Sequence, residues 1–105
     1  MAEVMNKNPS LTAIRIDEYP ADNWAIAGDA VSVGERTAVH IDIKVTAGTN
    51  TDEEKAEMIA RSQAMLREVV GPTPEASYVV IHDLDAGAWG YNGRTQKARA
   101  EAKAA

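Results

Sequence analysis

The sequence predicts an α+β fold: a two-layer sandwich in which one full helix packs on one face of a small mixed sheet, with a second β-α-β repeat present only in part. Three observations predict it. Ala38 to Thr46 alternates Val39, Ile41, Ile43 and Val45 against His40, Asp42, Lys44 and Thr46, the period of a half-buried strand. Thr51 to Val70 opens with the T-x-x-E pattern of a capping box and stops at Gly71-Pro72, which predicts one long helix. Ser77 to Leu84 (SYVVIHDL) reads as a second strand, closed by the turn AGAWGYNGR. Two strands joined by a helix of that length should lie parallel.

The elements before this unit are shorter. Met1 to Asn6 is helix-compatible and is broken by Asn8, Pro9 and Ser10. Leu11 to Glu18 (LTAIRIDE) predicts a strand, with Thr12, Ile14, Ile16 and Glu18 on one face and Leu11, Ala13, Arg15 and Asp17 on the other. Pro20 to Asp29 predicts a loop or hairpin around Trp24, and Ala30 to Arg36 a short strand. After the unit, Thr95 to Ala105 is polar and Ala-rich, a tail that is either helical or disordered.

The N-terminal part repeats the C-terminal part at a constant offset of 65 positions, without gaps. Glu3-Val4 matches Glu68-Val69, Pro9 matches Pro74, and Ile16 matches Ile81. Ala21 matches Ala86, Trp24 matches Trp89, and Gly28 matches Gly93. Rare residues in register indicate an internal duplication. Met1 to Asn6 then corresponds to the last turns of the long helix, and the first copy lacks a counterpart of Ala38 to Met65. The expected organisation is one domain, with residues 1–36 a partial first repeat, 37–94 a complete repeat and 95–105 a tail.

The totals narrow the function classes. The chain has 105 residues, no cysteine, no Phe, two Trp and three Tyr, and a formal net charge of −5. Disulfides and thiol chemistry are excluded. An acidic balance argues against nucleic acid or an anionic membrane as partner. With no membrane-length apolar run and no signal peptide, a cytoplasmic location is the default. His40 and His82 lack a third ligand at a recognisable spacing, so no metal is expected, and no cofactor is implied. Gly90-x-x-Gly93 opens no convincing helix and is not a phosphate loop.

The strand VHIDIKV with Gly48 after it, TDEEK opening a helix, Gly71, the strand YVVIHDL and the turn Trp89-Gly90-Tyr91-Asn92-Gly93 together resemble the 4-oxalocrotonate tautomerase family, and the duplication resembles its fused tandem members. The resemblance covers roughly Leu11 to Gly93. It implies trimers of fused units or hexamers of single ones, and keto–enol tautomerisation of small 2-oxo acids, so a small carboxylate is the implied ligand and a homo-oligomer the implied assembly. In that family an amino-terminal Pro exchanges the proton, its amine pKa lowered by an apolar pocket. That position falls at Val39. Family arginines bind carboxylates and polarise the carbonyl. One of their positions falls near Thr49-Asn50 and another at Tyr78, or at Ala13 in the other copy, where Arg15 on the same strand face is the candidate replacement; Arg94 ends the Trp89 turn, Arg36 precedes the central strand, and the pocket aromatic is kept as Trp24 and Trp89.

Arg15, Trp24, Tyr78, Trp89 and Arg94 are therefore the substrate-binding candidates, and no catalytic base is identified. Each has a plainer reading: a Trp in such a turn covers the end of a small core, and Arg15 among Asp17, Glu18 and Asp22 forms a surface ion pair. His40 and His82, with acids nearby in Asp42 and Asp83, are more often satisfied strand histidines than an acid–base pair. Tyr19 and Tyr91 read as packing residues. The functional reading is an isomerase whose natural chain includes the missing strand and helix, beginning with Pro. The alternative is a non-catalytic oligomerising or ligand-binding module with the same fold, and a ferredoxin-like regulatory domain is a third.

Overall fold

The computed structural model describes residues 1–31 and 36–104. In chain order the elements are α1 (Ala2–Met5), β1 (Ala25–Ile26), β2 (Asp29–Ala30), β3 (His40–Thr46), α2 (Asp52–Val70), β4 (Tyr78–Leu84), β5 (Gly90–Tyr91), β6 (Arg94–Thr95) and α3 (Gln96–Ala104). The fold is α+β, of the β-α-β type, with α2 on one face of a sheet made by β3 and β4.

β3 and β4 pair in parallel with His40 opposite Tyr78, Ile43 opposite Ile81 and Thr46 opposite Leu84. The alternation puts Ile41, Ile43, Val45, Val79 and Ile81 on the helix side and leaves His40, Asp42 and Lys44 exposed. α2 starts on a complete capping box: the Glu54 amide donates to the Thr51 hydroxyl at 3.1 Å, and the Thr51 amide donates to the Glu54 carboxylate at 2.8 Å. That backbone bond holds the Glu54 carboxyl below its ordinary pKa. Lys55, on the next position, reaches down to Asp83 of β4 at 2.7 Å, which raises the lysine pKa.

The core is small. Met5, Ile43 and Val45 are its buried apolar residues, with Met1, Val4, Met58, Val79 and Ile81 packed around them. α1 therefore completes the helix layer: it packs on α2, and its Met5, 1% exposed, plugs the space over β3. Asn50 donates to the Met5 carbonyl at 2.9 Å, and Arg61 pairs with Glu3 at 2.9 Å.

Local geometry recurs at the 65-residue spacing seen in the sequence. Asn6 ends α1 at φ 55°, and Gly71 ends α2 at φ 83°. The β1–β2 hairpin turns through Ala27 and Gly28, and the β5–β6 hairpin through Asn92 and Gly93, all four at positive φ. Two positive-φ centres make the turn that suits the right-handed twist of a hairpin. The Val31 amide donates to the Trp24 carbonyl at 2.7 Å, and the Gln96 amide to the Trp89 carbonyl at 3.0 Å.

Several expectations need correction. Leu11 to Glu18 is not a strand: Pro9–Leu11 form one turn of 3-10 helix, held by Asn8, and residues 12–20 run without a ladder. The alternating sequence is present, but among the described residues no neighbouring strand pairs with it. Ile14 and Ile16 are 81% and 83% exposed in consequence. Tyr19, expected to pack, is also exposed. Of the two readings of Thr95 to Ala105, the structure shows the helical one: α3 spans Gln96–Ala104, and the Ala98 amide donates to the Thr95 hydroxyl at 3.0 Å. The short strand expected within Ala30 to Arg36 falls largely on positions 32–35, which lie outside the described residues; just before them Asp29–Ala30 pairs with Ala25–Ile26. No described helix is long and apolar enough to cross a membrane.

Candidate functional site

The carboxyl ends of the parallel strands position a candidate site. After β4 the chain turns tightly: the Ala88 amide donates to the Asp85 carbonyl at 2.8 Å, and the Gly87 amide to the Asp85 carboxylate at 3.2 Å. That turn delivers Trp89 back over the end of β3, where its indole N–H donates to the Thr46 hydroxyl at 3.1 Å. The β5–β6 hairpin follows, and it forms with residues 87–95 an open concavity of about 340 Å³ that includes Trp89, Tyr91 and Arg94. Gly90 is required there, because a Cβ on it would collide with the Arg94 carbonyl oxygen. Arg94 is exposed, and no ion-pair partner of it is found among the described residues.

Sequence reasoning missed Arg99. It lies on α3 with its guanidinium over the Tyr91 ring at 3.8 Å and donates to the Tyr91 carbonyl at 3.1 Å, while its Nε is buried without a hydrogen-bond partner. The signal was the Thr95 cap, which starts a helix early enough to put Arg99 one turn in, beside the hairpin.

The other candidates are elsewhere. Arg15 belongs to the unpaired segment, its side chain 89% exposed and bound to Asp17 at 3.1 Å. Trp24 is half-buried beside the β1–β2 hairpin. Tyr78 begins β4 beside His40, 63% exposed, and the strand carries it about 20 Å from Leu84. None of Arg15, Trp24 and Tyr78 lines the concavity at Trp89.

A family model described as Tautomerase enzyme matches residues 40–99, more than half of the chain. The protein belongs to the tautomerase family. The matched span begins with β3 and ends within α3, so it contains the whole β-α-β unit, the Trp89 hairpin and Arg99. No curated protein and no solved structure matches the chain.

The resemblance in sequence sets the position of the family's amino-terminal Pro just before β3. Val39 stands there, half-buried, and its nitrogen is a peptide amide at 3.5 Å from the Ser77 hydroxyl, to which it donates. A peptide nitrogen has no basicity to offer. A cluster of titratable groups lies on the open sheet face. His82 Nε2 lies 2.8 Å and His40 Nε2 3.3 Å from the same Asp42 oxygen. Hydrogen bonds from His82 and then His40 hold the Asp42 carboxyl below its usual range. The sequence suggested Asp83 as a neighbour of His82, but Asp83 faces the helix layer and binds Lys55 instead. Adjacent residues on a strand point to opposite faces, whereas Asp42 and His82 are diagonal neighbours on one face. Among the described residues no group of His, Asp and Glu side chains is arranged to hold a metal ion.

Proposed function

We propose that this tautomerase-family chain acts on small 2-oxo or enol carboxylic acids, with the Trp89–Arg94 hairpin as the wall that receives the carboxylate. One observation carries the reading: Trp89, fixed by Thr46, and Arg94, without an ion-pair partner among the described residues, share one concavity of about 340 Å³. A guanidinium in such a cavity can bind a carboxylate through two parallel hydrogen bonds. It also stabilises the negative charge that develops on an enolising carbonyl oxygen. Proton transfer is then the work of a group other than the Val39 nitrogen. The Tyr78 end of the sheet and the Trp89 end are too far apart in one protomer to share a small substrate. A homo-oligomer, in which different protomers supply the two ends, accommodates this separation.

A second reading is favoured by Val39 itself: a binding module of the same fold, without turnover. Following the loss of enol absorbance of a 2-hydroxy-2-enoate with the purified protein separates the two. The first reading expects turnover, with Arg94→Ala raising KM about tenfold, the loss of roughly 1.4 kcal/mol of carboxylate binding. Carboxylate binding without turnover supports the module. Neither binding nor turnover removes both.

A further inference from the structure

Residues 12–20 have the alternating sequence of a strand but no ladder. Thr12 (φ −93°, ψ 109°) enters the segment extended, and Pro20 (φ −55°, ψ 139°) leaves it extended. At the 65-residue spacing Ile14 and Ile16 correspond to Val79 and Ile81, which are half-buried in the helix-facing row of β4. The same alternation is thus packed in one copy of the pattern and bare in the other. β3 and β4 each use one edge for the other, and among the described residues neither pairs along its outer edge.

The two outer edges differ. α2 packs on β4, while α1 stands beside α2 with Met5 over Ile43 and Val45 of β3. The apolar helix layer therefore continues on the β3 side. A strand added there with Ile14 and Ile16 turned toward the helices would meet Met1 and Val4, both half-buried already.

The size of the chain identifies the occupant. Its radius of gyration is 16.7 Å, against about 13 Å for a compact domain of this length. Its accessible surface is 7823 Å², about 2,100 Å² more than a folded monomer of this mass exposes. Taken over two copies, the excess of about 2,100 Å² per chain comes to about 4,200 Å², within the range of obligate subunit interfaces. A strand with unpaired backbone groups and bare isoleucines is the form of surface that pairs with another chain.

We propose that residues 13–19 form an exchange strand, which pairs along the outer edge of β3 in a second copy of this chain. Reciprocal exchange gives a closed two-fold dimer, because each copy offers one strand and one edge. The isoleucines then lie under the partner's α1, and the outer edge of β3 is no longer exposed. This deepens the oligomeric part of the function proposed above and does not depend on its chemistry.

The test combines mass and position. Light scattering of the wild-type chain at micromolar concentration should give about twice the mass of the 11.3 kDa protomer. Ile14→Asp with Ile16→Asp should weaken the dimer roughly a hundredfold or more while leaving the far-UV signal of α2 in place. The chain has no cysteine, so single-cysteine variants report location without interference. Arg15→Cys in one preparation and Lys44→Cys in a second, differently tagged one should give a disulfide-linked heterodimer on mild oxidation. This arm of the test decides the matter even if the double aspartate variant fails to fold. A monomeric wild-type chain, a folded double variant that associates as the wild type does, or the absence of the Arg15–Lys44 cross-link overturns the proposal. Loss of turnover with the dimer intact speaks only against the proposed chemistry.

Discussion

The Trp89 indole N–H donates to the Thr46 hydroxyl at 3.1 Å, and this bond ties the β5–β6 hairpin to the end of β3. Thr46 also accepts at its carbonyl from the Thr49 hydroxyl at 2.6 Å, so one residue anchors both the hairpin and the loop into α2. Thr46→Val keeps the shape and removes the indole's acceptor. The expected cost is about 1–2 kcal/mol of stability, from the lost bond and a stranded indole donor. Urea denaturation followed by tryptophan fluorescence measures it, and a midpoint equal to that of the wild type would show that the contact contributes nothing.

Asp42 should make the fold sensitive to acid. Its carboxyl pKa is lowered from the ordinary 3.8 by the hydrogen bonds from His82 and His40. A group with a depressed folded-state pKa stabilises the protein above its unfolded value, and that contribution is lost as pH falls through the lowered value. Asp42→Asn should therefore flatten the fall in Tm below about pH 4, where this carboxyl takes up its proton. A variant whose acid-side curve superimposes on that of the wild type would contradict the assignment.

Met5 couples α1 to the main unit. It is 1% exposed and packs with Ile43 and Val45, the other buried apolar side chains among the described residues. Met5→Ala should cost about 2–4 kcal/mol through lost burial and the cavity left behind. In so small a core this should release α1, and hydrogen exchange at residues 2–5 should rise together with that at Ile43 and Val45. Protection unchanged at β3 would show that α1 is dispensable to the core.

Ala27 carries a backbone cost that its counterpart avoids. It sits at φ 55°, in the left-handed region, where the equivalent turn uses Asn92 at φ 49°. Ala27→Asn should stabilise the β1–β2 hairpin by about 1 kcal/mol, since Asn tolerates that region and Ala does not. A thermal scan that shows a lower Tm would refute this.

What was legible in the sequence was legible for local reasons. The β3–α2–β4 unit has its strand alternation, its Thr51–Glu54 capping box and its Gly71-Pro72 stop within single segments. Short-range hydrogen bonds and one-sided burial are enough to specify such elements. The family resemblance rested on that unit, and the family match falls on the same stretch, residues 40–99. Trp89 and Arg94 were legible as a pair because one hairpin carries both.

Other features depended on distance. Leu11 to Glu18 alternates well enough to predict a strand, but a ladder needs a second backbone beside it, and pattern cannot supply one. His82 was read against its sequence neighbour Asp83, whereas the parallel register of β3 and β4 gives it Asp42 and turns Asp83 toward Lys55. Arg99 gained a role only because α3 folds against the Tyr91 ring. By itself, then, the sequence determined the β-α-β unit, its family and the Trp89 turn, since each is encoded by contacts a few residues apart. The tertiary structure decided which polar groups meet, that Met5 closes the core, and that Ile14 and Ile16 remain bare, because these depend on which segments lie side by side.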